Sequence, residues 1–112
     1  MNWLPLTSIG QLDSIKEQSF EKSIILFKHS TRCSISDMAK GRLDRSPDIN
    51  TADFYLLDLI AHRDISNEIA ERFQVHHESP QILIIKKGEC TYAESHSGIR
   101  IEEIEEQLNQ EN

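Results

Sequence analysis

No Cys-x-x-Cys pair occurs in this sequence; its two cysteines, Cys33 and Cys90, stand far apart. The ligand spacing of a zinc knuckle is therefore missing. The five histidines, His29, His62, His76, His77 and His96, supply no ligand pattern in its place, so no metal is expected. Positive charge is also scarce: 12 Lys and Arg against 19 Asp and Glu give a formal net charge of -7. Phosphate backbones and anionic membranes need clustered Lys and Arg, so neither nucleic acid nor a membrane is expected as the main partner. Only a local basic spot around Lys28, Arg32 and Lys40 runs against that balance. No run approaches the ~18 apolar residues of a membrane helix. Met1 to Pro5 is too short for a secretory leader and has no basic start. A cytoplasmic protein is thus expected, and in that compartment a structural disulfide is not. No Gly-x-Ser-x-Gly elbow and no phosphate-cradling Gly-rich loop is present, which leaves Ser-His-Asp hydrolysis and nucleotide chemistry without support.

What is present suits one domain over residues 1–112, with 38% apolar and 28% charged residues. The spacing of Ile9, Leu12 and Ile15 predicts a helix over Ser8 to Gln18, with Thr7 or Ser8 as its cap. Ile24 to Phe27 is an unbroken apolar run, which suits a strand in Ser23 to His29 covered on both faces. Residues Cys33 to Arg45 read as a helix with Ile35, Met38, Ala39 and Leu43 inward, ended by Ser46-Pro47. Phe54 to Ile60 is a second strand, and Asp64 to Phe73 a helix. Ile82 to Ile85 and Cys90 to Glu94 form a hairpin around Lys86-Lys87-Gly88-Glu89. A last helix carries Ile101, Ile104 and Leu108, with its glutamates mostly on the solvent side. This order implies an α/β fold with a mixed four-stranded sheet and helices on both faces.

Chemistry points to Cys33, where a buried strand ends and a helix begins. A helix N-terminus offers unpaired N–H groups and partial positive charge, both of which favour a thiolate over a thiol. The thiolate is the attacking species in disulfide exchange, and Arg32 adds a fixed positive charge beside it. A packed, inert cysteine is the competing reading, but the neighbours Thr31, Arg32, Ser34 and Ser36 are polar. Ser36 holds the place of a second cysteine in Cys33-Ser34-Ile35-Ser36, so the site is monothiol. Its hydroxyl is a candidate donor to the thiolate or, equally, a solvated helix residue. Cys90 is the one internal candidate to resolve a mixed disulfide, though a small apolar strand residue explains it better. Adjacent His76 and His77 are expected in solvent, and His29 is expected to end its strand. Pro80, after Ser79, suits the start or edge of a strand.

With these pieces in order, the chain resembles the thioredoxin superfamily over nearly its full length. The strand Ile24 to Phe27, Cys33 opening a helix, Pro80 before a strand, the Lys87-Gly88-Glu89 hairpin and Gly98 before the last helix carry the likeness. More narrowly it is similar to the monothiol bacilliredoxins, stress-response proteins with a Thr-Cys-Pro-Ile-Ser type of active site. Here the stretch reads Phe27-Lys28-His29-Ser30-Thr31-Arg32-Cys33-Ser34-Ile35-Ser36. Arg32 separates Thr31 from Cys33, and Ser34 replaces the proline. The resemblance implies a thioredoxin-like fold and a monothiol thiol-disulfide oxidoreductase acting through Cys33. It implies clients capped by bacillithiol or a similar low-molecular-weight thiol, with bacillithiol as co-substrate and no tightly bound cofactor. A monomer is expected. It further implies a substrate-binding set of Thr31, Arg32, Ser34, Ser36, Ser79, Pro80 and Gly98, with Pro80 cis and facing Cys33 and the Ser79 backbone aligning the substrate. Two other readings share the fold: a non-catalytic binding or stress module with a redox-sensitive cysteine, and a glutaredoxin-like monothiol protein holding an iron–sulfur cluster.

Overall fold

A computed structural model describes residues 1–110. The expected domain 1–112 thus includes two positions that lie outside the described residues. Five strands form one sheet: β1 (Trp3–Pro5), β2 (Ser23–His29), β3 (Ala52–Asp58), β4 (Gln81–Lys86) and β5 (Glu89–Ser95), in the order β1-β3-β2-β4-β5. β1, β3 and β2 run parallel, and β4 runs antiparallel to β2 and β5. Among the described residues are four α-helices: α1 (Gly10–Gln18), α2 (Ser34–Asp44), α3 (Arg63–Arg72) and α4 (Ile101–Asn109). A short 3-10 turn, His96–Gly98, joins β5 to the last helix.

The sheet has one strand more than the sequence predicts. β1 has only three residues and contains Pro5, so it shows neither a run nor an alternation. Proline is tolerated there because β1 lies at the sheet edge. Its Trp3 stacks on Phe27 at 5.5 Å and meets Phe54 edge-on at 5.8 Å. The other elements fall where expected to within a few residues.

Strand β2 explains the unbroken apolar run. Side chains alternate across a strand, and both faces of β2 are covered. Ile24 and Leu26 pack with Leu12 and Ile15 of α1 and Ile65 and Ile69 of α3. Ile25 and Phe27 pack on the other face with Ala39 and Leu43 of α2 and Ile104 of α4. The alternation continues through two polar residues that are also buried, Lys28 and His29. Lys28 is therefore not part of a surface basic spot.

Two expectations of local structure are corrected. Neither Thr7 nor Ser8 caps α1 with its side chain; Gln11 reaches back, its Oε1 accepting from the N–H groups of Thr7 at 2.7 Å and Ser8 at 2.9 Å. Ile35 and Met38 do not face inward. The buried face of α2 is Ser36, Ala39 and Leu43, spaced three and four apart, which turns Ile35 and Met38 outward to 50% and 64% exposure. In the β4–β5 hairpin Lys87 and Gly88 both have positive φ, 51° and 81°, the conformation that favours glycine. A Cβ at Gly88 would also come within 3.2 Å of the Phe20 ring. No helix among the described residues is long and apolar enough to cross a membrane.

Candidate functional site

Cys33 is the N-cap of α2, extended at φ -114° and ψ 119°, and it is partly exposed. Two backbone bonds shape its turn: Cys33 N–H donates to Ser30 O at 3.2 Å, and Asp37 N–H donates to Cys33 O at 3.0 Å. Thr31 and Arg32 lie exposed in the turn before it, and Ser34 lies exposed behind it. The sulfur thus stands at the end of β2, at the start of an 11-residue helix.

Ser36 takes neither expected role. It is fully buried, and its Oγ shares a 2.6 Å hydrogen bond with His29 Nδ1 while accepting from Ser30 N–H at 3.0 Å. It ties the first turn of α2 to the last residue of β2, across the loop that carries Cys33. His29 Nε2 faces Asp37 Oδ1 at 3.5 Å. We assign the single ring proton to Nε2, beside that carboxylate, so that Nδ1 accepts from the Ser36 hydroxyl. Burial holds the His29 pKa below its ordinary value, opposed chiefly by Asp37. His29 does end its strand, and it also anchors the helix start. The signal for that second role is a histidine two residues after the apolar run, seven residues before a serine that falls on a helix's inner face.

Ser79 and Pro80 come to the same end of the sheet. Lys28 pairs with Gln81, so the residue before Gln81 lies beside the end of β2. The Ser79–Pro80 peptide is cis, as the resemblance implied, and Pro80 is buried. Pro80 O accepts from His96 N–H at 3.0 Å, which brings in the turn that contains Gly98. Gly98 is crowded: a Cβ there would fall 2.6 Å from the Glu94 carboxyl carbon. Ser79 Oγ is a buried side-chain atom with no hydrogen-bond partner among the described residues.

Cys90 lies elsewhere. It pairs with Ile85, which pairs with Ile24 at the opposite end of β2. From Ile24 to His29 the strand advances five residues, about 17 Å at its usual rise. A disulfide tolerates only about 7 Å between Cα atoms, so Cys33 and Cys90 cannot bridge in this fold. Burial also pushes the Cys90 thiol up, and its Sγ donates to Tyr92 O at 3.3 Å. Among the described residues no group of three His, Cys, Asp or Glu side chains is placed to hold a metal ion.

The βαβ unit, the antiparallel hairpin, the cysteine at a helix start and the cis proline opposite the strand end define a thioredoxin fold. Solved structures agree. One described as a candidate oxidoreductase with a thioredoxin fold superposes with a TM-score of 0.83 at 30% identity, covering 96% of this chain and 93% of its own. Thioredoxins from Fasciola hepatica and Trypanosoma brucei brucei superpose with TM-scores of 0.70 and 0.74, at 15% and 13% identity. They cover 93% and 97% of this chain, and 94% and 93% of their own. The chain is a thioredoxin-like thiol oxidoreductase. Residues 4–104 match the model of the family described as monothiol bacilliredoxin BrxC, and the chain belongs to that family.

Proposed function

We propose that this protein removes bacillithiol, or a similar low-molecular-weight thiol, from cysteines of client proteins. The observation that carries the reading is the isolation of a partly exposed sulfur at a helix start. Ser36 occupies the second place of a Cys-x-x-Cys pair, and Cys90 is held at the far end of the sheet. The Cys33 thiolate attacks the bacillithiol sulfur of the mixed disulfide. The Cys33–bacillithiol disulfide forms as the client's S–S bond breaks, and the client sulfur leaves as a thiolate that takes a proton from water. With no internal sulfur in reach, an external thiol must attack the Cys33 adduct and regenerate the thiolate. Thr31, Arg32 and Ser34 line the exposed turn where the substrate arrives. Ser79, Pro80 and Gly98 belong to the neighbouring loops, and in this reading the Ser79 backbone aligns an extended segment of the client. Ser36 supports this set from behind, through His29.

The test is mass spectrometry of the protein after incubation with a bacillithiolated client. The expected product is a bacillithiol adduct on Cys33, with release of the client thiol, both lost in Cys33→Ala. Absence of the adduct, together with no transfer from other thiol-capped clients, overturns the reading.

A further inference from the structure

Lys28 is buried on the face of β2 that it shares with Ile24 and Leu26, opposite His29. Its Nζ has two partners: Ser66 O on α3 at 3.3 Å, and His77 Nδ1 at 3.2 Å. An ammonium group has no acceptor capacity, so Nδ1 must be the acceptor and His77 must carry its proton on Nε2. Ser66 Oγ lies 3.3 Å from the same Nδ1. His77 sits two residues before Ser79 in the loop that ends at the cis peptide. Three elements, β2, α3 and the 76–80 loop, therefore meet at one buried charge.

We propose that Lys28 is a positioning residue: its ammonium, donating to His77 Nδ1, holds the 76–80 loop against the strand that delivers Cys33, and the hold is released when His77 takes up a proton. Lys28 touches neither client nor adduct; it acts through the loop. The consequence for clients rests on the proposed function, whereas the release itself does not.

The charges around the pair set the direction. From β2 His77 faces Lys28, from α3 it faces Arg63, and within the loop it lies near His76 and Glu78. Burial and then Lys28 hold its pKa below the ordinary 6.5, with Glu78 opposing. His77 is exposed on its outer side, so solvent protons reach it. Once protonated, its Nδ1–H would point at an ammonium 3.2 Å away, and the contact must open. On the far side of the loop His96 Nε2 lies 3.7 Å from Glu78 Oε2. The released loop keeps its bond from His96 N–H to Pro80 O, beside the turn that contains Gly98, while its tie to Lys28 of β2 is lost.

Amide protection factors of Glu78 and His96 between pH 5 and 7, where Lys28 stays charged, test this in the full chain, because Glu78 N–H donates to Gln81 Oε1 and His96 N–H to Pro80 O. Loss of a hydrogen bond from a charged donor is expected to lower Glu78 protection about tenfold in acid, and that of His96 less. His77→Gln keeps an acceptor that does not titrate, so its protection is expected to stay flat with pH. Lys28→Met is expected to show low protection at every pH. Where clients are turned over, the KM of the wild type relative to that of His77→Gln should rise in acid, while loss of the Cys33 thiolate lowers kcat equally in both. Protection in the wild type that does not change with pH, or His77→Gln behaving as the wild type does, overturns the proposal. If Cys33 transfers no thiol, the proposed function fails, but the protection factors still decide the latch.

Discussion

Replacing Ser36 by alanine deletes one oxygen atom and strands two polar groups. Ser30 N–H loses its acceptor at 3.0 Å, and His29 Nδ1 loses its partner at 2.6 Å. A buried polar group left without a partner costs about 1–3 kcal/mol. His29 is buried and Ser30 half-buried, so the full cost applies to the first and a reduced one to the second. The space vacated by one oxygen is too small for a water to take over both bonds. Alanine gains about 0.5 kcal/mol of helix propensity in return. The net loss is then about 2–3 kcal/mol, which lowers Tm by roughly 8–15 °C for a domain of this size. Calorimetric melts of the wild type and Ser36→Ala at pH 7.5 measure it. A cycle with His29→Phe, which preserves stacking on Phe27 at 5.8 Å, separates the bond from packing. In that background Ser36→Ala should cost about 1–2 kcal/mol less, because the ring nitrogen is no longer there to be stranded. A Tm drop under about 3 °C, or strictly additive costs, would refute the claim that this bond holds the helix start to β2.

Two further outcomes follow from groups away from the sulfur. Burial lowers the Lys28 pKa from 10.5 to about 8, so between those values the unfolded chain binds more protons than the folded one, and stability rises with pH. Denaturant titrations should show the wild type gaining about 3 kcal/mol on Lys28→Met between pH 8 and 10.5; a constant gap would mean that the ammonium is not desolvated. Cys90→Ala should cost about 1 kcal/mol of stability and leave formation and clearance of the Cys33 adduct unchanged; loss of clearance would contradict the separation of the two sulfurs.

Much of the architecture was legible because it rests on patterns that burial itself imposes. Four apolar residues in a row at Ile24 to Phe27 mean cover on both faces, and the Lys87-Gly88 turn means a hairpin. Strand β1 was not legible, since three residues at an edge need no pattern of their own and are held by Trp3 packing on Phe27 and Phe54. Hydrophobicity places Ala39 and Leu43 correctly on the inner side of α2 but wrongly adds Ile35 and Met38. Ser36 occupies that side through hydrogen bonds, so Ile35 and Met38 are displaced from it. The position of Cys33 could be read from strand followed by helix. The support behind it could not, because it depends on which face of β2 each of Lys28 and His29 takes.

Those two residues carry the main conflict between stability and pattern in this fold. A strand buried on both faces has no solvent side to which a lysine can extend its ammonium, and an apolar residue at position 28 would pack without desolvating a charge. The alternation of β2 sends Lys28 to α3 and the 76–80 loop, and His29 to the first turn of α2. One strand end thereby reaches both segments that the proposed chemistry must hold in register: the turn with Cys33 and the loop with Ser79 and Pro80. Apolar residues at both positions would bury the strand better and leave both segments untied. Departures from a strand's apolar pattern are expected where a site has to be positioned, and here they fall on the two residues that bracket it.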